Sequence, residues 1–122
     1  MNVHCYRDLK VWQLGMDVAQ AVYVLAREFP KQEVYGLTSQ MQRAAVSIPA
    51  NLAEGHSRPT TKDFLRFVGI ALGSLAELET HLMLAVRLEY GNPDSIAEVL
   101  LTLDDLGRML RALQKSLRAK LK

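Results

Sequence analysis

The stretch NPDSIAEVLLTLDDLGRMLRALQKSLRAKLK, residues 92–122, decides the fold. Asn92 has the side chain of a helix N-cap. Pro93 suits the first helical position, because its fixed φ is already helical and its missing N–H would be unpaired there anyway. Ile96, Val99, Leu103, Leu106, Leu110, Leu113 and Leu117 then follow at alternating steps of three and four. Three heptads of that spacing put every one of these side chains on a single stripe, the seam of a helix that packs lengthwise against others. With Ile96 at position a, the cations Arg108, Arg111, Lys115, Arg118 and Lys122 fall at f, b, f, b and f, on the face away from the seam.

Three further helices lie upstream. The first is predicted from about Asp8 to Glu28, with one apolar face through Leu9, Trp12, Met16, Ala19, Tyr23 and Ala26 and a second through Val11, Leu14, Val18, Val22, Leu25 and Phe29. Pro30 ends it. The second is expected to start near Thr38 or Ser39, where Ser39 and Gln42 have capping-box spacing. Its inward face is Leu37, Met41, Ala44, Ala45, Ile48 and Leu52. Pro49 removes an N–H and crowds the carbonyl of Ala45, so a kink is expected there, with the helix resuming to about His56. The third opens after Thr60 or Thr61, with Asp63 in its favourable first turn, and is expected to reach about Tyr90 with Gly91 at C′. It is apolar almost all round, as a central helix or one that also faces another subunit would be. Gly69 and Gly73, one turn apart on it, would admit another backbone. Four long helices with short links predict an all-α, up-and-down antiparallel four-helix bundle filling one domain, residues 1–122.

Composition agrees. The 122 residues are 49% hydrophobic, 23% charged and 7% aromatic, with seven Gly and four Pro, which excludes a disordered chain and favours helices over a barrel. One cysteine, Cys5, excludes an intrachain disulfide framework and a multi-cysteine metal site, and fits a reducing compartment. Residues 1–10 carry His4, Arg7, Asp8 and Lys10 and lack the apolar core of a signal peptide, and no run of 18 residues is wholly apolar. A cytoplasmic protein that does not span a membrane is therefore expected. The net charge is +2, but residues 108–122 hold six cations and no acid, leaving nine cations and thirteen acids upstream. Such asymmetry points toward a polyanion.

Catalytic signatures are missing. The di-iron bundles need Glu-x-x-His pairs, whereas His81 follows Glu77 by four residues with Leu78 at the three-residue position, and Ala53 precedes His56. No zinc-protease motif and no glycine-rich phosphate loop occurs. A non-enzyme without metal or cofactor is expected. One polar set does stand out: Gln40, Arg43, Ser47, Asn51 and Glu54 form a stripe on helix two, and Ser74, Glu77 and His81 have matching spacing on helix three. It reads either as a buried hydrogen-bond network fixing helix register, centred on an Arg43–Glu77 pair, or as a small-ligand pocket. The basic ridge on helix four likewise has two readings. It is a solubilising face with cations at a helix C-terminus, or it is a polyanion-binding face that contacts phosphates without stacking on bases.

Longer motifs add to this. Asp8-Leu9-Lys10-Val11-Trp12, Phe29-Pro30-Lys31, Tyr35-Gly36-Leu37-Thr38-Ser39-Gln40, the run from Arg43 through Ser47-Ile48-Pro49-Ala50-Asn51-Leu52-Ala53-Glu54-Gly55, and Ala71-Leu72-Gly73-Ser74-Leu75-Ala76-Glu77-Leu78-Glu79-Thr80 resemble the four-helix-bundle proteins encoded in 23S rRNA intervening sequences. The resemblance covers Tyr6 to about Leu117. It implies a bundle that assembles into a ring-shaped homopentamer and is not an enzyme. That family is similar to the accessory variability proteins of diversity-generating retroelements, which bind nucleic acid and partner a reverse transcriptase. The resemblance thus implies RNA or DNA, and a reverse transcriptase, as partners. It makes Arg43, Ser47, Asn51, Glu54, Gly55, Ser74 and Glu77 structural motif positions and assigns no binding residue.

Overall fold

The computed structural model describes residues 5–121. After a 3-10 turn at Tyr6–Asp8 come four helices: α1 (Lys10–Ala26), α2 (Leu37–Ser57), α3 (Thr61–Arg87) and α4 (Pro93–Lys120), with a second 3-10 turn, Lys31–Glu33, between α1 and α2. Among the described residues there is no strand. Each helix packs on its sequence neighbours and α4 closes on α1, while no diagonal pair meets. That is the up-and-down antiparallel bundle. Its core is made by the predicted stripes of α1, α2 and α4 together with α3: Val18 and Val22, Met41, Ile48 and Leu52, Val68, Leu78 and Leu82, and the α4 seam from Ile96 to Leu110 are all buried. Leu113 of the seam is half-buried and Leu117 is buried. α3 is long and apolar enough, by length and composition, to cross a membrane. In the bundle it is the helix that packs against both α2 and α4.

The helix ends obey local chemistry, with two departures from the expected caps. Asn92 Oδ1 accepts from the amides of Asp94 (2.8 Å) and Ser95 (3.2 Å), and Thr60 Oγ1 accepts from the Asp63 amide (3.1 Å), both as predicted. The N-terminus of α2 is different. The helix starts at Leu37, one residue earlier than expected, and neither Thr38 nor Ser39 caps it. Instead the Leu37 amide donates to Glu33 Oε1 (3.0 Å), while Tyr90 Oη donates to Glu33 Oε2 (3.0 Å). One carboxylate thus caps α2 and ties it to the α3–α4 link. That hydrogen bond is also the main reason the Tyr90 hydroxyl holds its proton above the usual tyrosine range. Gly36 is small for the same cap, because a Cβ there would lie 2.6 Å from Glu33 Oε1.

α3 ends at Arg87 rather than Tyr90, and the residue at C′ is Glu89 (φ 60°) rather than Gly91. The amide of Tyr90 donates to the carbonyl of Ala85 (2.9 Å) and that of Glu89 to Val86 (3.1 Å), the paired bonds of a Schellman motif. Gly91 serves the next turn: its φ is 71°, and a Cβ would sit 2.8 Å from the Phe29 ring. α2 continues through Pro49, which is buried against α1, where Gly15 gives it room. α2 and α3 approach closely at Gly55, where a Cβ would lie 2.5 Å from Phe67 Cβ.

Candidate nucleic-acid interface

The basic ridge follows from the α4 heptad, since positions b and f turn away from the seam. Arg108, Arg111, Lys115 and Arg118 are all exposed, and Lys122 lies outside the described residues. Their partners divide them. Arg108 forms an ion pair with Asp105, one turn back. The Arg111 guanidinium folds over Gly107, where a Cβ would meet its Nη1 at 3.1 Å, and it acts on Glu79. Partial burial is the largest cause raising the Glu79 carboxyl above its usual range, with Asp104 adding to it and Arg111 opposing. Lys115 and Arg118 have no ion pair among the described residues. The ridge therefore offers its free positive charge at the C-terminal end of α4, where Lys120 is exposed as well.

The polar stripe is brought together only in part. One of the Ser47 and Ser74 hydroxyls donates to the other (2.8 Å), and Asn51 Nδ2 donates to both the carbonyl and the Oγ of Ser47 (2.8 Å each). This small network spans α2 and α3 with Ser74 buried, as the register-fixing reading requires. Its expected centre is absent. Arg43 and Glu77 are both exposed and form no ion pair with one another. With Gln40, Ala44 and Ser47 they line an open groove of about 320 Å³. The reason is rotational: Ser47 and Ser74 take the contact line between the two helices, and residues one turn away on the outer flank swing into water. Glu54 is also outside, paired with Arg58 at 2.8 Å. Glu77 Oε2 lies 3.9 Å from Nε2 of His81, a buried histidine whose Nδ1 has no hydrogen-bond partner among the described residues. No three His, Cys, Asp or Glu side chains converge to hold a metal ion among the described residues.

The sequence reading missed the cations around the α2–α3 turn. Arg58, Lys62 and Arg66 are exposed at the same end of the bundle as the end of α4. The Arg66 guanidinium stands 4.4 Å from the centre of the Phe67 ring and that of Arg58 5.3 Å. Counted from the fold, this end carries Arg7, Lys10, Arg58, Lys62, Arg66, Lys115, Arg118 and Lys120 against Asp8, Glu54 and Asp63. The other end has Arg27, Lys31 and Arg87 against Glu28, Glu33, Glu89, Asp94 and Glu98. Only the antiparallel topology could have revealed this, because the cations come from three separated segments, residues 7–10, 58–66 and 115–120.

Residues 7–112 match the family described as 23S rRNA-intervening sequence protein. The chain belongs to that family. Among solved structures it is similar to a protein of unknown function from the S23 ribosomal protein family of Bacteroides thetaiotaomicron, with a TM-score of 0.79 and 24% identity over 86% of this chain and 98% of that one. That likeness bears on the fold. No curated protein matches.

Proposed function

We propose that this member of the 23S rRNA-intervening sequence family is a non-enzymatic homo-oligomer, a pentameric ring in the cytoplasm, that binds nucleic acid non-specifically through its basic surface. The observation that carries the reading is the unpaired, exposed state of Lys115 and Arg118 on the outer face of α4. A cation that neutralises a phosphate releases counterions condensed on the nucleic acid, the main source of sequence-independent affinity, and one without an ion pair gives up no existing partner to do so. Assembly is supported by the large apolar side chains left in solvent, including Met16, Tyr23 and Val24 on α1 and Ile70, Leu84 and Val86 on α3. Surfaces of that kind are uncommon on monomers. Repetition around a ring would add multivalency to weak single contacts.

Labelled RNA and DNA titrated across a salt series, with light scattering on the same samples, test both parts. Binding that falls steeply with salt is expected, as is loss of binding by Arg111→Glu/Lys115→Glu/Arg118→Glu in an intact assembly. Absence of wild-type binding at low salt refutes the nucleic-acid reading and leaves a protein-assembly scaffold, the role the exposed apolar side chains favour by themselves. A monomer at micromolar concentration refutes the ring.

A further inference from the structure

The C-terminal half of α1 presents acids on one flank and cations on the other. Asp17 and Glu28 line the groove toward α4, together with Glu98. Arg27 and Lys31 line a separate recess of about 400 Å³ on the α2 side, formed by the last turns of α1, the loop after it and the first turns of α2. Glu33, in the same loop, does not reach this recess: its carboxylate accepts from the Leu37 amide and the Tyr90 hydroxyl. No carboxylate lines the recess, and neither of its cations has an ion pair among the described residues. Its floor is apolar and already in place. Ala26 and Phe29 are buried, Phe29 is held by the Tyr90 ring at 5.8 Å, and Pro30 fixes the backbone where the chain leaves α1. Val34 adds an apolar side chain that is 49% exposed. Polar groups without partners complete the lining. Tyr23 and Gln42 make no hydrogen bond among the described residues, and Thr38 is buried with its Oγ1 unpartnered.

We propose that this recess binds a small organic anion with an apolar body, its acid group held by Arg27 and Lys31 and its body lying on Phe29, Pro30 and Val34. The proposal goes beyond the nucleic-acid reading and does not depend on it. A volume of this size, an apolar floor and a few polar groups on the rim are the general make-up of a small-molecule site. Cations close to a helix C-terminus also complement its dipole, which accounts for their presence near the end of α1. It does not account for the apolar recess that the two of them share, nor for the buried hydroxyl of Thr38 on its wall, a hydrogen-bonding demand that natural structures rarely leave unmet. The sign of the ligand follows from the lining, which has an arginine, a lysine and neutral donors but no acid. An organic cation would find its carboxylates on the other flank of α1, in the groove toward α4. Because the floor is fixed by Pro30 and the Phe29–Tyr90 contact, little ordering is left to be done when the ligand enters.

The test is equilibrium dialysis of the full chain against 2-naphthoate and against 2-naphthamide, which has the same shape without the charge. The wild type should bind the acid with a Kd on the order of 1 mM, ordinary for a ligand of that size, and the amide about tenfold more weakly, since two exposed ion contacts are worth about that factor together. Arg27→Ala/Lys31→Ala should bring the acid down to the affinity of the amide and leave the amide unchanged. Lys31→Ala alone, at an exposed loop position, should lose about threefold for the acid only. Val34→Ser should weaken acid and amide by the same factor, because both bodies lose the same contact. Arg87→Ala, an exposed cation at this end but outside the recess, should change neither. Circular dichroism melts on the same samples confirm that each variant is folded. Equal affinity of the wild type for acid and amide overturns the choice of an anion. A preference for the acid that survives in Arg27→Ala/Lys31→Ala overturns the site, and Val34→Ser binding like the wild type overturns the placement of the body. No acid bound by the wild type at about 10 mM overturns the proposal altogether and leaves the nucleic-acid reading untouched.

Discussion

Gly55 and Gly73 make a matched pair whose alanine variants should move stability in opposite directions. Both are helical, but their surroundings differ. At Gly55 the new methyl would be placed 2.5 Å from Phe67 Cβ and 3.1 Å from Phe64 Cδ1. Carbon atoms rest at ~3.5–4.0 Å, so about 1 Å of separation is needed. The first of these contacts is Cβ to Cβ. No side-chain torsion relieves it, and α2 must move away from α3. Overpacking of this kind costs ~1–3 kcal/mol, with this rigid case at the upper end. Exchanging Gly for Ala in a helix returns at most ~1 kcal/mol. The net loss is about 2 kcal/mol, which at ~4 °C per kcal/mol for a chain of this length lowers Tm by about 8 °C. At Gly73 nothing lies within 4 Å, so only the propensity gain remains and Tm should rise by about 4 °C. Thermal melts followed by circular dichroism at one protein concentration measure both, because assembly makes Tm concentration-dependent. Phe67→Ala keeps the offending Cβ and should not rescue Gly55→Ala. A Gly55→Ala protein as stable as wild type refutes the close helix approach. A Gly73→Ala protein that melts lower or loses its assembly shows that a neighbouring subunit occupies that face.

Six other substitutions test four separate features. Arg43→Ala and Glu77→Gln, at exposed and mutually unpaired residues, should each shift stability by less than ~0.5 kcal/mol in urea titrations, where a buried pair would cost ~3–5 kcal/mol. Glu33→Ala removes the cap of α2 and the Tyr90 anchor together and should cost about 1–2 kcal/mol, with Glu33→Gln milder because an amide oxygen still accepts from the Leu37 amide. Glu89→Gly relieves a left-handed backbone at a non-glycine residue and should stabilise by ~1 kcal/mol in the same titration. Glu79 has a raised pKa, so the folded chain binds its proton more tightly than the unfolded chain and ionised Glu79 opposes folding at neutral pH. Glu79→Gln should therefore be more stable than wild type at pH 7, by less than ~0.5 kcal/mol after solvent screening, and the gap should close as pH falls through the carboxylate range.

The helices were legible because their signals are local and repetitive: a heptad seam, a proline at N1, an Asn and a Thr cap. The two caps that were misplaced depend on distant residues. Nothing in residues 36–42 reveals that Glu33 caps α2, since the geometry is fixed by the loop fold and by Tyr90, 57 residues away. Glu89 adopts the left-handed position although Gly91 stands two residues on, because Gly91 is needed where the Phe29 ring leaves no room for a Cβ. At the candidate site, the steps of three and four placed Ser47, Asn51, Ser74, Arg43 and Glu77 on facing helices correctly. They could not tell which member of each turn lies on the contact line and which lies one step outside it. A rotation of a few tens of degrees about each helix axis exchanges a buried Arg–Glu pair for a buried serine pair, and the sequence pattern has no such resolution.

The net charge of +2 understates what a polyanion meets, because charge is sorted along the long axis of the bundle. Helix macrodipoles do not do the sorting: in an antiparallel array each end presents two N-termini and two C-termini, which largely cancel. The side chains do it, with an excess of cations around the α2–α3 turn and the α4 terminus and an excess of acids at the other end. The 28 residues of α4 span about 42 Å at 1.5 Å per residue. The Debye length at physiological ionic strength is about 8 Å, so the two ends lie some five screening lengths apart. A phosphate at the basic end therefore interacts with the local excess and hardly with the acidic end. By the same argument, reversing an acid such as Glu28 or Glu98 to Lys raises the net charge by two yet should leave the affinity for labelled nucleic acid in the titrations proposed above, and its salt slope, unchanged. A clear rise in affinity from either change would mean that overall charge, rather than the basic end, governs binding.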